Sequence, residues 1–143
     1  KTKIMATTTA TLTLTSSDLL TDSLSLSATA TLYDAGTTTG LTQYDMGKVD
    51  IPGDNNIYIL LDSTAAGVDK GGRVYVANKN TNEAHYVDIL IDEAVLGRLY
   101  AGDWMFIPWS QANAAANLEV RAPSEVNTIE YAFFHEGRTF TGA

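Results

Sequence analysis

The first third of the chain alternates, residue by residue, between hydroxyl and aliphatic side chains. In Thr7–Thr15, Ala10, Leu12 and Leu14 alternate with threonine; in Ser23–Tyr33, Leu24, Leu26, Ala28, Ala30 and Leu32 alternate with serine or threonine. A period of two sends successive side chains to opposite faces of an extended strand, and no helix can sort such a pattern onto one side. Threonine is β-branched and suits the outer face of a sheet. A Thr-rich, mucin-like or disordered arm is the competing reading, but it would be rich in proline and lack pattern. The alternation therefore predicts two half-buried strands. Ser16–Asp22 lies between them, and Ser17 or Asp18 there can cap one helical turn.

The same punctuation continues downstream. Asp34–Gly40, Ile51–Asn56 and Val68–Gly72 carry the Gly, Asn, Asp and Pro of turns. Between and after them, strands are predicted at Met46–Ile51, Ile57–Asp62, Arg73–Asn78, Ala84–Asp92, Trp104–Trp109, Asn117–Ala122 and Thr128–Phe134, while Asp92–Leu99 reads as a second short helical turn. Nine short strands with regular turns predict an all-β fold: an antiparallel β-sandwich, jelly-roll-like, of about eight or nine strands, with at most one or two helical turns. Ile57–Leu61 and Val74–Val76 are expected to form a hairpin-like pair, with Arg73–Asn78 running on through a polar turn into Tyr86–Ile91. A chain of 143 residues fits a single domain, residues 1–143, with 1–15 as an extended N-terminal arm or first strand. Ile4, Met5, Leu12 and Leu14 are the candidate arm residues, and residues 1–4 read as an extension before an ordinary start at Met5.

Charge and composition narrow the function. Nine Lys and Arg against 17 Asp and Glu leave a net charge of −8, which argues against nucleic acid and against an anionic membrane surface as partners. Cysteine is absent, so disulfides, thiolate metal sites and cysteine nucleophiles are excluded. Trp104–Leu118 is too short and too polar to span a bilayer, and a soluble chain is expected. His85 and His135 show no metal-ligand spacing, and no nucleophile elbow, phosphate loop or dinucleotide fingerprint occurs. Asp88 with Asp92, and Glu119 with Glu130 on strands expected to be neighbours, are the carboxylate pairs that glycosidase chemistry could use. Chance juxtaposition among 17 acids outweighs that reading. The oxygen-rich Asp50–Asn56 stretch could hold calcium, but its Asp, Asn and Gly are also what a turn requires. No catalytic residue, metal or cofactor is expected.

Aromatic residues are the remaining signal. In Trp104–Trp109 the alternation places Trp104, Phe106 and Pro108 on one face and Met105, Ile107 and Trp109 on the other. A strand apolar on both faces sits centrally in a sandwich or meets a neighbouring subunit. Trp104 and Phe106 are expected to fill the core, leaving Tyr100, Met105 and Trp109 as candidate interface residues. A protein neighbour is favoured over a glycan, because the flank Ser110–Ala116 is small and flat.

The stretch Leu96–Trp109 (LGRLYAGDWMFIPW), with Leu118–Ala122 and Ile129–Phe134 after it and the Thr/Ser alternation before it, resembles small β-sandwich structural proteins of tailed bacteriophages. The likeness runs over residues 55–137. It implies a non-enzymatic virion component: a capsid decoration (cement) protein first, or a tail, fibre or filament subunit. It implies a homo-oligomer, with trimer the expected order, contacting the major capsid protein or another virion protein. The expected location is the outer surface of the particle, after a soluble phase in the host cytoplasm. A carbohydrate-binding module using exposed aromatics is the alternative from another class.

Overall fold

The computed structural model describes residues 7–18, 21, 23–33, 37–38, 40–41, 44–63, 71–110 and 116–136. Contacts divide the chain into two compact units, Lys1–Thr42 and Gln43–Ala143. The described residues form ten strands and no helix.

The first unit is a two-stranded antiparallel ribbon, β1 (Thr8–Ser16) with β2 (Leu24–Leu32), paired over nine residues each from Thr8↔Leu32 to Ser16↔Leu24. The register sorts the two kinds of side chain cleanly. Ala10 faces Ala30, Leu12 faces Ala28 and Leu14 faces Leu26 on one side, and Thr11 faces Thr29 and Thr13 faces Ser27 on the other. The hydroxyl alternation is therefore strand, as expected. Because β2 pairs with β1 along its whole length, Leu12 and Leu14 belong to a first strand; Ile4 and Met5 lie outside the described residues, as do Leu19, Leu20 and Asp22 of the Ser16–Asp22 connection.

The second unit is a β-sandwich. Its strands are β3 (Tyr44–Ile51), β4 (Ile57–Leu61), β5 (Gly71–Asn78), β6 (Tyr86–Ile91), β7 (Ala94–Tyr100), β8 (Trp104–Ser110), β9 (Leu118–Arg121) and β10 (Asn127–His135). One antiparallel sheet has the order β3-β10-β5-β8, and the other β4-β9-β6-β7. Apart from the β6–β7 hairpin, each strand lies in the opposite sheet from its predecessor, which is the jelly-roll arrangement. The core fills the space between the sheets: Ile51, Val74, Val76, Trp109, Ile129 and Phe133 from the first, and Val87, Ile89, Leu99, Leu118 and Val120 from the second. Burial of these side chains at about 25 cal/mol per Å² is the main stabilising term.

Two expectations are corrected. Val74–Val76 does not pair with Ile57–Leu61: β4 pairs with β9, and β5 lies between β10 and β8 in the other sheet. Short connections suggest hairpins, but a jelly roll uses them to cross between layers. Asp92–Leu99 is no helical turn. It is a tight turn leading into β7, with Asp92 at φ 46° and Glu93 at φ 68°. Two successive positive φ values match a type I′ hairpin turn, usually signalled by Asn-Gly. Here the Glu119 carboxylate accepts the Glu93 N–H at 2.7 Å and holds the conformation. A bulge then sets Leu90 against Val95 but Ile89 against Gly97, so Leu96 is an extra residue that breaks the period of two.

Candidate assembly surface

The outer face of the β3-β10-β5-β8 sheet follows from its register and from the inward set above. One cross-strand row reads Trp104, Ala77, Glu130 and Lys48. The next reads Phe106, Tyr75, Ala132 and Met46, and a third Pro108, Arg73, Phe134 and Tyr44. A solvated outer face of an antiparallel sheet is normally polar. Nine of these twelve positions are instead aromatic, aliphatic or proline. Trp104 is 53% exposed, and Met46 and Tyr44 are each 65% exposed. The three charges are matched: Lys48 lies 3.4 Å from Glu130, and Arg73 lies 3.0 Å from Glu136. The face is thus apolar and locally neutral on a chain of net charge −8.

Trp104 and Trp109 exchange the places expected of them. Trp109 is 5% exposed, its indole N–H donates to the Ala116 carbonyl at 2.7 Å, and its ring meets Phe133 edge-on at 5.1 Å. Met105 and Ile107 pack against the same core. The alternation along β8 holds, with Met105, Ile107 and Trp109 on the inner side and Trp104, Phe106 and Pro108 on the outer. Period two fixes which residues share a face, not which face points inward. Nor is β8 central: it is an edge strand, where Pro108 fits because an edge leaves one side of the backbone unpaired. Tyr100, the third candidate, is exposed but lies on β7 in the opposite sheet, against Tyr86 at 5.4 Å between ring centroids. Tyr100, Met105 and Trp109 therefore form no common surface.

The outer face of the second sheet is built differently. Asp88, almost buried, accepts from Arg98 Nε at 3.0 Å and from Arg121 Nη2 at 3.1 Å. The Arg98 guanidinium lies 3.8 Å above the Tyr86 ring, and hydrogen bonds to Tyr100 and Asp88 hold its proton more firmly than usual. Asp88 is thereby committed to two arginines. Glu119 and Glu130 do not neighbour one another, since β9 and β10 belong to opposite sheets. Among the described residues, no three acidic or histidine side chains gather as metal ligands would. In Asp50–Asn56 the Asp54 carboxylate accepts from the Tyr58 hydroxyl at 2.6 Å and from the Asn56 N–H at 3.0 Å. The Tyr58 bond leads in holding its pKa below the usual carboxylate value, and Asn55 sits at φ 63° as a turn requires.

Beside Trp104 the apolar face ends in a cleft of about 430 Å³ lined by Tyr75, Lys79, Asn80, Thr81 and Gly102. Its wall is fixed by asparagines. The Asn78, Asn80 and Asn82 side-chain oxygens each accept the backbone N–H two residues on, at 3.0, 2.9 and 3.1 Å. Asn78 and Asn80 also donate to the buried Asn127 side chain at 3.1 and 3.0 Å. His85 closes this network against Asn80 at 3.2 Å, while His135 pairs with Asp45 at 2.7 Å at the far end of β10. The polar turn after β5 was legible in the sequence; its role as a rigid rim beside an exposed tryptophan was not.

In comparisons with known proteins, no family model, curated protein or solved structure matches this chain.

Proposed function

We propose that the chain is a non-enzymatic structural subunit of a virus particle, of the capsid decoration (cement) kind, held by contacts with its own copies and with the shell. The observation that carries this reading is the apolar, charge-matched outer face of the β3-β10-β5-β8 sheet. Large exposed apolar patches on a folded chain are partner surfaces. With four strands about 4.8 Å apart and rows two residues, about 6.8 Å, apart, the three rows and their flanks span on the order of 20 × 20 Å. That footprint is of the class that buries several hundred Å² per partner. The jelly roll recurs in viral shell proteins as well as in lectins, and this support is by analogy of fold. An acidic surface elsewhere would keep free subunits apart in the host cytoplasm until they dock on the outside of the particle.

Mass spectrometry of particles purified from the source of the chain tests the assignment. The chain should be present at high and fixed copy number, and mild denaturant should release it while the shell stays closed. Met46→Glu combined with Phe106→Glu should abolish rebinding of the purified chain to stripped particles. Absence from particles, or undiminished rebinding by that variant, overturns the reading.

The Trp104 cleft favours a second reading, binding of a glycan. An exposed tryptophan face beside Tyr75, Lys79 and Thr81 offers stacking together with hydroxyl and amine donors. A glycan array separates the two: saturable sugar binding that Trp104→Ala removes supports a carbohydrate-binding module.

A further inference from the structure

We propose that the cleft beside Trp104 takes a glycan bearing an anionic group, carboxylate or sulfate, with Lys79 as the cation that receives it. This rests on the glycan reading of the cleft and adds the class of sugar.

Charge singles out Lys79. Lys48 lies against Glu130 and Arg73 against Glu136, while Arg98 and Arg121 share Asp88. Among the described residues, Lys79 is the one lysine or arginine that makes no ion pair. The described residues that line the cleft with it include no acid: they are Tyr75, Trp104, two asparagines, Thr81, Ala77 and Gly102. Asp103, next to Trp104, turns its carboxylate to the Tyr100 N–H at 3.0 Å. Glu130, across from Ala77, is held by Lys48. On a chain of net charge −8, an exposed ammonium in an acid-free cleft is where a negative group meets local attraction.

The backbone fixes how Lys79 stands to Trp104. Trp104 faces Ala77 in the β5–β8 register, and Lys79 follows two residues on, about 7 Å further along the same outward side. A sugar ring stacked on the exposed indole therefore extends its substituents toward the lysine. The two walls are tied together. The Asn78 N–H donates to the Asp103 carbonyl and the Gly102 N–H to the Asn78 carbonyl, each at 2.9 Å, and the Lys79 N–H donates to the Thr128 carbonyl at 2.8 Å. With the asparagine rim already in place, a ligand meets a preformed site and little ordering cost. Tyr75 and Thr81 add hydroxyls for those of the sugar. An ammonium is a compact charge with rotatable donors, so it accepts either anion.

Binding of the full chain to an array carrying a neutral hexose, the matching hexuronate, a sialoside and a sulfated hexose tests this. At least one acidic ligand should bind about five- to tenfold tighter than the neutral hexose, which also identifies the anion. Lys79→Gln should abolish that advantage and leave neutral binding unchanged, and Lys79→Arg should restore it. The advantage should shrink in about 1 M salt. Equal binding of neutral and acidic ligands, or an advantage that survives Lys79→Gln, overturns the proposal and leaves the glycan reading standing. Failure of every saccharide to bind overturns both.

Discussion

Trp104 and Trp109 lie five residues apart on one strand and differ in almost everything that matters physically. Trp109 has an indole N–H satisfied by a carbonyl, an aromatic neighbour on its edge and almost no solvent contact. Truncating it leaves a cavity and strands a carbonyl, so Trp109→Ala should lower unfolding free energy by about 3–5 kcal/mol in a denaturant titration. Trp104→Ala removes an exposed ring and should change stability by about 0.5 kcal/mol or less, while weakening whatever binds the outer face. If the two substitutions cost the same, the orientation of β8 given above is wrong. The sequence made the alternation of these residues plain, but nothing in it fixed the sign. Both faces of β8 are apolar, and only packing against Phe133 decides which is inner.

Among the elements, legibility followed the strength of local signals. Nine of the ten strands were readable from period-two runs and turn residues. β7 was not, because its two local markers are disguised. Its turn uses Asp92 and Glu93 where Asn-Gly would have announced a hairpin, and its bulge places Val95 and Leu96 side by side as a helix would. The conformation is secured by Glu119, 26 residues away, so no local reading could find it. Strand pairing was less legible still, since partners are set by layer and not by neighbourhood along the chain. β7 and β5 also contain glycines in contrasting surroundings. A Cβ added at Gly97 meets nothing within 4 Å, whereas one at Gly72 would lie 2.0 Å from the Phe134 carbonyl oxygen. Gly97→Thr should therefore raise stability by about 0.5–1 kcal/mol, by removing glycine's backbone entropy and adding a β-branched side chain. Gly72→Ala should lower it, by forcing β10 away from β5. Thermal melting of both variants checks the pair, and a gain at Gly72 would contradict the close strand approach there.

At the level of the whole molecule, the division at Thr42 and Gln43 makes a direct statement about autonomy. Residues 43–143 contain both four-stranded sheets and the entire inter-sheet core. This fragment should fold alone and unfold in one cooperative calorimetric transition. The described residues of 1–42 supply two strands and no layered core, so as an isolated monomer this segment should show no cooperative transition. A fragment 43–143 that remains unfolded would show that the sandwich depends on the first unit. The −8 net charge, which at first only excluded partners, takes on meaning at this scale. The two apolar surfaces of the chain, the ribbon face and the outer sheet face, are also where charge is absent or internally matched.

The position of the last two strands has a consequence in time. β10 lies between β3 and β5, and β9 between β4 and β6, so neither sheet is continuous until the final strands have been inserted. On the ribosome, β3 to β8 must wait as separate fragments for residues near 118–135 to emerge. The ribbon pairs only strands that follow one another and needs no such wait. A nascent chain would present a closed ribbon first and an unfinished sandwich second. A chain halted between β8 and β9 would leave core valines and leucines uncovered, so closure of this core waits on β9 and β10.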